Sequence, residues 1–161
     1  MSGTFVIAQG GGPTAVINQT MVGATLEIRK RHPGARVLGA RHGVRGIRDS
    51  DYVDLSAIPE EQLRLIGRTP SAALGSTRDK PDAAYCDLVL KGLQKAGADA
   101  FIYIGGNDTA ATQQILADAA GGSIAFVHAP KTIDNDLAEN DHTPGFISAA
   151  EFVAGAFLSV E

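Results

Sequence analysis

Ala100-Phe101-Ile102-Tyr103-Ile104-Gly105-Gly106-Asn107-Asp108-Thr109 carries the clearest structural signal in the chain. Its five leading apolar residues suit a strand buried on both faces, as at the centre of a parallel sheet. Two glycines then break the run. A helical pattern follows as far as residue 120, with Thr109 as its expected cap and Gly121-Gly122 as its stop. A strand that enters a helix through a glycine turn is half of a strand–helix–strand unit.

The same unit recurs on both sides. Residues 84–96 have helical spacing, Gly97 fits the position just past a helix end, and residues 124–129 read as another strand. Near the start, Thr4-Phe5-Val6-Ile7-Ala8-Gln9 stops at Gly10-Gly11-Gly12-Pro13. Ile17, Met21, Ala24 and Ile28 then recur at three and four, which predicts a helix over 15–31, closed by His32-Pro33-Gly34. Residues 36–40 read as a short strand, with Gly43 and Gly46 marking a turn or bend. Prolines and the glycines Gly67 and Gly75 break up residues 50–81, where loops near a site are expected. A last helix is expected over 147–160. This alternation predicts an α/β fold, one domain over residues 1–161, with a parallel sheet covered by helices on both faces. Sites in such folds form at the carboxyl ends of the strands.

Bulk properties narrow the partners. The chain has 161 residues, 44% of them hydrophobic and 20% charged, with a net charge of −4, so neither nucleic acid nor a membrane surface is expected to bind it. No apolar run approaches the roughly 20 residues of a membrane span, and the N-terminus lacks the basic flank and apolar stretch of a signal peptide. A cytoplasmic location is expected. The single cysteine, Cys86, lies in an apolar helical stretch and reads as core packing.

Three polar clusters stand at strand ends. Gly10-Gly11-Gly12-Pro13-Thr14 is a phosphate cradle in principle, because glycines let backbone N–H groups approach an anion at a helix N-terminus. Steric turns of this kind are also common, and no Lys-Ser or Lys-Thr follows to make a Walker loop. Asn107 and Asp108 offer oxygen ligands of the kind magnesium takes, although an acidic residue here can also serve only as a helix cap. In Pro130-Lys131-Thr132-Ile133-Asp134-Asn135-Asp136, two carboxylates stand beside a lysine. That group is either a charge-balanced turn or a site in which an Asp takes a proton while the Lys neutralises phosphate oxygens. Clustering at successive strand ends favours the site. Arg78, in Leu74-Gly75-Ser76-Thr77-Arg78, is able to grip a phosphate with two parallel hydrogen bonds, but taken alone it reads as an exposed loop arginine.

Taken in order, residues 10–18, 74–78, 104–109, 130–136 and Asp-His-Thr-Pro-Gly-Phe at 141–146 resemble the phosphofructokinase family, and the match runs through essentially the whole chain. The Thr-Ile-Asp-Asn-Asp element is specific to that family. The resemblance implies a Rossmann-like N-terminal domain and transfer of a phosphoryl group to the 1-hydroxyl of fructose 6-phosphate, with Mg2+. It implies Asp134 as the base, Gly11 as a contact to the donor, Arg78 as a phosphate ligand, and Thr132 and Asp134 on the sugar phosphate. Asp136 would support the metal or the sugar site. Asn107 falls where the family usually has an acidic metal ligand, so Asp108 would share the metal.

Donor choice rests on two positions. ATP-using members generally have glycine where this chain has Asp108, whose charge would repel a nucleotide α-phosphate. Pyrophosphate-using members have a lysine where this chain has Lys131, able to stabilise the transferring group. Pyrophosphate is therefore the expected donor, with ATP, or a catalytically incomplete phosphate-binding module, as the alternatives. A different acceptor such as sedoheptulose 7-phosphate also remains open. Lipid and NAD kinases share only the Gly-Gly-Asp element of this family. Family members normally have a second half that supplies further sugar-phosphate ligands, and they are oligomeric. Residues 1–161 end inside an expected helix, as a truncated N-terminal half would, and exposed apolar surface is then expected.

Overall fold

A computed structural model describes residues 3–160. The chain runs through β1 (Thr4–Gln9), α1 (Ile17–Arg31), β2 (Arg36–Ala40), α2 (Val44–Asp49), β3 (Tyr52–Asp54) and a 3-10 turn (Leu55–Ala57). It continues through α3 (Glu60–Ile66), α4 (Ala83–Lys95), β4 (Ala100–Gly105), α5 (Asn107–Ala120), β5 (Ala125–Pro130) and α6 (Phe146–Leu158). The five strands form one sheet in the order β3-β2-β1-β4-β5.

Side chains that alternate along each strand feed two cores, one on each face of the sheet. Val6, Ala8, Phe101 and Tyr103 point to one face, where α2, α4 and α5 cover them with Val44, Ile47, Val89, Leu93 and Leu116. Ile7, Val37 and Ile104 point to the other, against Ile17, Met21 and Ile28 of α1 and Leu63 of α3. Burial of each large apolar side chain among them, valine to phenylalanine, contributes about 1.5–3 kcal/mol. Cys86 is buried in the first of these cores, and burial pushes its thiol pKa up, consistent with a packing role.

Four local expectations are corrected. The sheet is not wholly parallel, because β3 pairs antiparallel with β2. Residues 41–51 hold only a short helix, too little for the dozen or so residues of a parallel crossover, so the chain returns beside the strand it left. Gly43 does close a turn, at φ 65°, but Gly46 lies inside α2, where a Cβ would stand 2.0 Å from the Arg41 carbonyl oxygen. Residues 50–81 contain β3, the 3-10 turn and α3, elements too short to leave a periodic trace. Thr109 does not cap α5, since Gly106 holds that position without a side-chain bond and Thr109 turns inward, 4% exposed.

The chain leaves β1 towards β2 on one side and reaches β4 on the other, so a crevice opens at the carboxyl ends of β1 and β4. The Gly10 N–H donates to the Ile104 carbonyl at 2.8 Å, and the Lys131 N–H to that of Gly105 at 3.0 Å, drawing the loops after β1, β4 and β5 together. Beyond them α6 has no buried residue, and Phe152 and Phe157 are 77% and 74% exposed. No helix among the described residues is long and apolar enough to cross a membrane.

Helices α2 and α4 pack closely at Gly92, where an added Cβ would stand 2.2 Å from the Ile47 carbonyl oxygen. Gly92→Ala is expected to destabilise the protein by about 1–3 kcal/mol in denaturant unfolding, although alanine is the better helix former. An unchanged or raised unfolding midpoint would contradict this packing.

Candidate functional site

A cavity of about 580 Å³ lies at the carboxyl end of the sheet. Gly12, Pro13 and Thr14 line it from the loop after β1, Gly106 to Thr109 from the start of α5, and Lys131 to Asp134 with Asp136 from the loop after β5. Arg78 closes it from the segment before α4. The structure thus brings seven of the sequence-derived site residues into one space: Arg78, Asn107, Asp108, Lys131, Thr132, Asp134 and Asp136.

Gly11 stands apart from that lining. It adopts φ 71°, which disfavours any side chain, and a Cβ there would lie 3.4 Å from the Lys131 ammonium. Its N–H donates to the Thr77 carbonyl at 3.0 Å, and its own carbonyl accepts from the Ser76 hydroxyl at 2.5 Å. Gly11 therefore binds the Arg78 segment to the glycine loop. The far side of that segment is also anchored: Arg45 donates to Asp79 at 2.7 and 3.3 Å, and the Tyr85 hydroxyl donates at 2.9 Å. Those bonds, the arginine's first, hold the Asp79 pKa down at about 2.

Helix α5 begins at the cavity without a side-chain cap, so its first N–H groups and its dipole favour an anion there. Asn107 Nδ2 donates to Asp136 Oδ2 at 2.6 Å, linking α5 to the loop after β5. Asp108 pairs at 3.2 Å with Lys80, which the sequence reading had not singled out; both side chains are largely exposed, so the pair adds little stability. No group of three or more His, Cys, Asp or Glu able to hold a metal occurs among the described residues. The donor set nevertheless fits magnesium, which is usually held by one or two carboxylates together with substrate phosphates and water.

Lys131 is the buried charge of the site, 3% exposed, with its ammonium donating to the Gly12 carbonyl. Burial, with Arg78 nearby, lowers its pKa, while Asp134 opposes that shift. Thr132 accepts from the Asp134 N–H at 3.1 Å and bridges to Gly145. Asn135, at φ 51°, accepts from the Thr143 N–H at 2.8 Å and donates to the Asp141 carbonyl at 3.0 Å. Residues 141–145 thereby shape the turn that presents Asp134. That turn leaves the carboxylates of Asp134 and Asp136 exposed at the rim while the lysine lies deep, so the site combines a cationic floor with proton-accepting edges.

Sequence reading placed Thr14 and Ile133 in its clusters without giving either a role, and both line the cavity; it gave none to Gln9 and Asn18, which are buried. A polar residue closing an otherwise apolar strand was the one available sign of Gln9.

Comparison with known proteins identifies the family and the fold. The family described as Phosphofructokinase matches residues 4–161. The pyrophosphate–fructose 6-phosphate 1-phosphotransferase of Rhodospirillum rubrum is 53% identical over 161 residues, covering 98% of this chain and 40% of the relative. The protein of that name from Xanthomonas campestris is 39% identical, covering 95% and 38%. Among solved structures, the pyrophosphate-dependent phosphofructokinase from Nitrosospira multiformis superposes with a TM-score of 0.90 at 31% identity, over 98% of this chain and 40% of that one. The chain thus spans about two fifths of the length of the curated relatives it matches.

The lowered pKa of Lys131 sets a pH dependence for anion binding. An exposed lysine keeps its proton to about pH 10.4, and Lys131 loses its proton earlier. A bound anion favours the charged form, so binding takes up a proton in that window and affinity falls as pH rises through it. Calorimetric titration with inorganic phosphate in buffers of different ionisation enthalpy is expected to register this uptake, and Lys131→Met to abolish it, with the ligand's own titration common to both. Equal uptake in the two proteins would contradict the assignment.

Proposed function

Because the chain belongs to the phosphofructokinase family, we propose that residues 1–161 form the phosphoryl-donor half of a longer enzyme that transfers a phosphoryl group from pyrophosphate to fructose 6-phosphate. The observation that carries this reading is that Asp134, Lys131 and Asp108 line one cavity. A base, a deep cation and a carboxylate that selects against nucleotides are then present together.

In this reading the Asp134 carboxylate takes the proton from the sugar 1-hydroxyl, and the freed oxygen attacks the terminal phosphorus of pyrophosphate. The bridging P–O bond breaks, orthophosphate leaves, and fructose 1,6-bisphosphate forms. Lys131 and Arg78 offset the charge that builds on the phosphoryl oxygens. The glycine loop, which Gly11 ties to the Arg78 segment, holds the donor, while Thr132 and Asp134 face the sugar phosphate and Asp136 supports the metal or the sugar site. Asn107 and Asp108 would hold magnesium, which when bound screens the phosphate oxygens.

Asp108 opposes ATP by charge. An α-phosphate brought close to that carboxylate is repelled, though more weakly at this largely exposed position than in a protein interior. Pyrophosphate and the sugar phosphate lie closer in transfer potential than ATP does, so the reaction runs in both directions. The enzyme would act in the cytoplasm, in glycolysis, as a homo-oligomer.

The match to only two fifths of the relatives' length supports a second reading, a phosphate-binding module that lacks turnover by itself. Assay of fructose 6-phosphate phosphorylation with pyrophosphate and with ATP, on this chain and on any longer product of its gene, separates the two. Turnover with pyrophosphate is the expected result, and its absence from both with either donor would sink the enzyme reading. Asp134→Asn is expected to lower kcat by about 10²–10⁴ with donor affinity kept, the loss typical of a missing general base. Asp108→Gly is expected to raise the use of ATP relative to pyrophosphate, and an unchanged ratio would contradict the charge argument.

A further inference from the structure

Arg78 sits on a segment with no strand ladder to hold it, and two buried amides do that work from below. Gln9 and Asn18 are 0% and 1% exposed. Gln9 Nε2 donates to Asn18 Oδ1 at 2.9 Å and to the Ile17 carbonyl at 3.2 Å. The Leu74 N–H donates to Gln9 Oε1 at 3.0 Å, and the Ala73 N–H to Asn18 Oδ1 at 2.8 Å. Asn18 Nδ2 donates in turn to the carbonyl and hydroxyl oxygens of Thr69, each at 3.1 Å. Backbone N–H groups only donate, so the acceptor oxygens of both amides are fixed and each side chain has a single workable orientation. Residues 69–74 are thereby tied to the end of β1 and the start of α1, the two elements that flank the glycine loop.

From Leu74 the chain passes through Gly75, Ser76 and Thr77 to Arg78, and Ser76 and Thr77 bond to both backbone groups of Gly11. The path from the buried amides to the arginine therefore has hydrogen bonds along it on one side. Leu74 adds a packed contact, since a Cβ on Gly39 of β2 would stand 2.7 Å from its side chain. An exposed arginine on an untethered loop would lose much freedom on gripping an anion, and a braced loop has lost part of that freedom beforehand.

We infer that Gln9 and Asn18 are positioning residues for anion binding, acting through the 69–78 segment to hold Arg78 and the glycine loop on one wall of the cavity. The claim rests on the phosphate role proposed above for Arg78; the bracing of the segment does not depend on it. Apolar residues of similar volume would fill the same space but would leave the Ala73 and Leu74 N–H groups without partners.

The test combines amide hydrogen exchange with calorimetric titration of inorganic pyrophosphate. In Gln9→Met, exchange at Gly11 and Leu74 is expected to quicken at least tenfold relative to Ile102 in β4, and pyrophosphate affinity to fall roughly tenfold, the size of one lost hydrogen bond. Gln9→Glu, whose neutral carboxyl is able to accept from Leu74 and donate to Asn18, is expected to recover most of that loss. In an Arg78→Met background Gln9→Met is expected to cause no further loss, which a general destabilisation would not produce. Asn18→Leu, which removes the acceptor for the Ala73 N–H and the donation to Thr69 without adding a charge, carries the same comparison if Gln9→Met does not fold. Unchanged exchange at Gly11, or an equal loss of affinity in both backgrounds, overturns the inference. If the unmutated protein does not bind pyrophosphate, the phosphate reading of the site fails by itself, and the exchange result alone then decides the bracing.

Discussion

The site depends on a close approach between β1, β4 and the first turn of α5. A Cβ on Gly105 would stand 2.2 Å from the Thr109 hydroxyl, and one on Gly10 would stand 2.8 Å from the same oxygen and from the Tyr103 ring. Glycine is therefore required just past β1 and at the end of β4 for Thr109 to sit between them. With Thr109 buried there, α5 starts directly at the sheet edge, and Asn107 and Asp108 project into the cavity. The bond from the Gly10 N–H to the Ile104 carbonyl locks the two strand ends in register. What reads locally as a flexible glycine turn is a packing requirement.

That constraint arranges the charges. Lys131 enters from β5 beneath the glycine loop, and its ammonium reaches the Gly12 carbonyl, so a cation stands at the floor where α5 also contributes its positive end. The carboxylates of Asp108, Asp134 and Asp136 remain at the rim, each with a polar neighbour: Lys80 for Asp108, the amide of Asn107 for Asp136, and Lys131 across the floor for Asp134. An anion on that floor would lie against cations, with the Asp134 carboxylate beside it at the rim. Surface ion pairs such as Lys80 with Asp108 add little to stability, and their interest lies in the field at the cavity mouth.

Much of this was legible in the sequence because it is written in local patterns. The runs that became β1, β4 and β5 are apolar and stop at glycine or proline, β2 is a short run of the same kind, and α1, α4 and α5 have clear spacing. The short α2, β3 and α3 were missed for want of length, and their identity comes from contacts, such as Leu63 against α1 and the antiparallel pairing of β3 with β2. Thr109 was misread because cap statistics describe a surface residue, and the packing of two glycines overrode them. The cluster of site residues was found because strand ends converge in such folds. The tie of Gln9 and Asn18 to residues 69–74 was out of reach, since its partners lie some fifty or more positions apart. The apolar surface of α6 was expected from the family resemblance and is present.

The central claim is that the cavity floor is built for a small diphosphate anion with the Asp134 carboxylate left free beside it. A crystal structure of the protein soaked with magnesium pyrophosphate tests this most directly. The account predicts pyrophosphate between Arg78, the glycine loop and Lys131, with its terminal phosphorus facing Asp134 and the metal against Asp108 and Asn107. Pyrophosphate bound elsewhere, or in this cavity with Asp134 turned away and Lys131 out of contact, would contradict it.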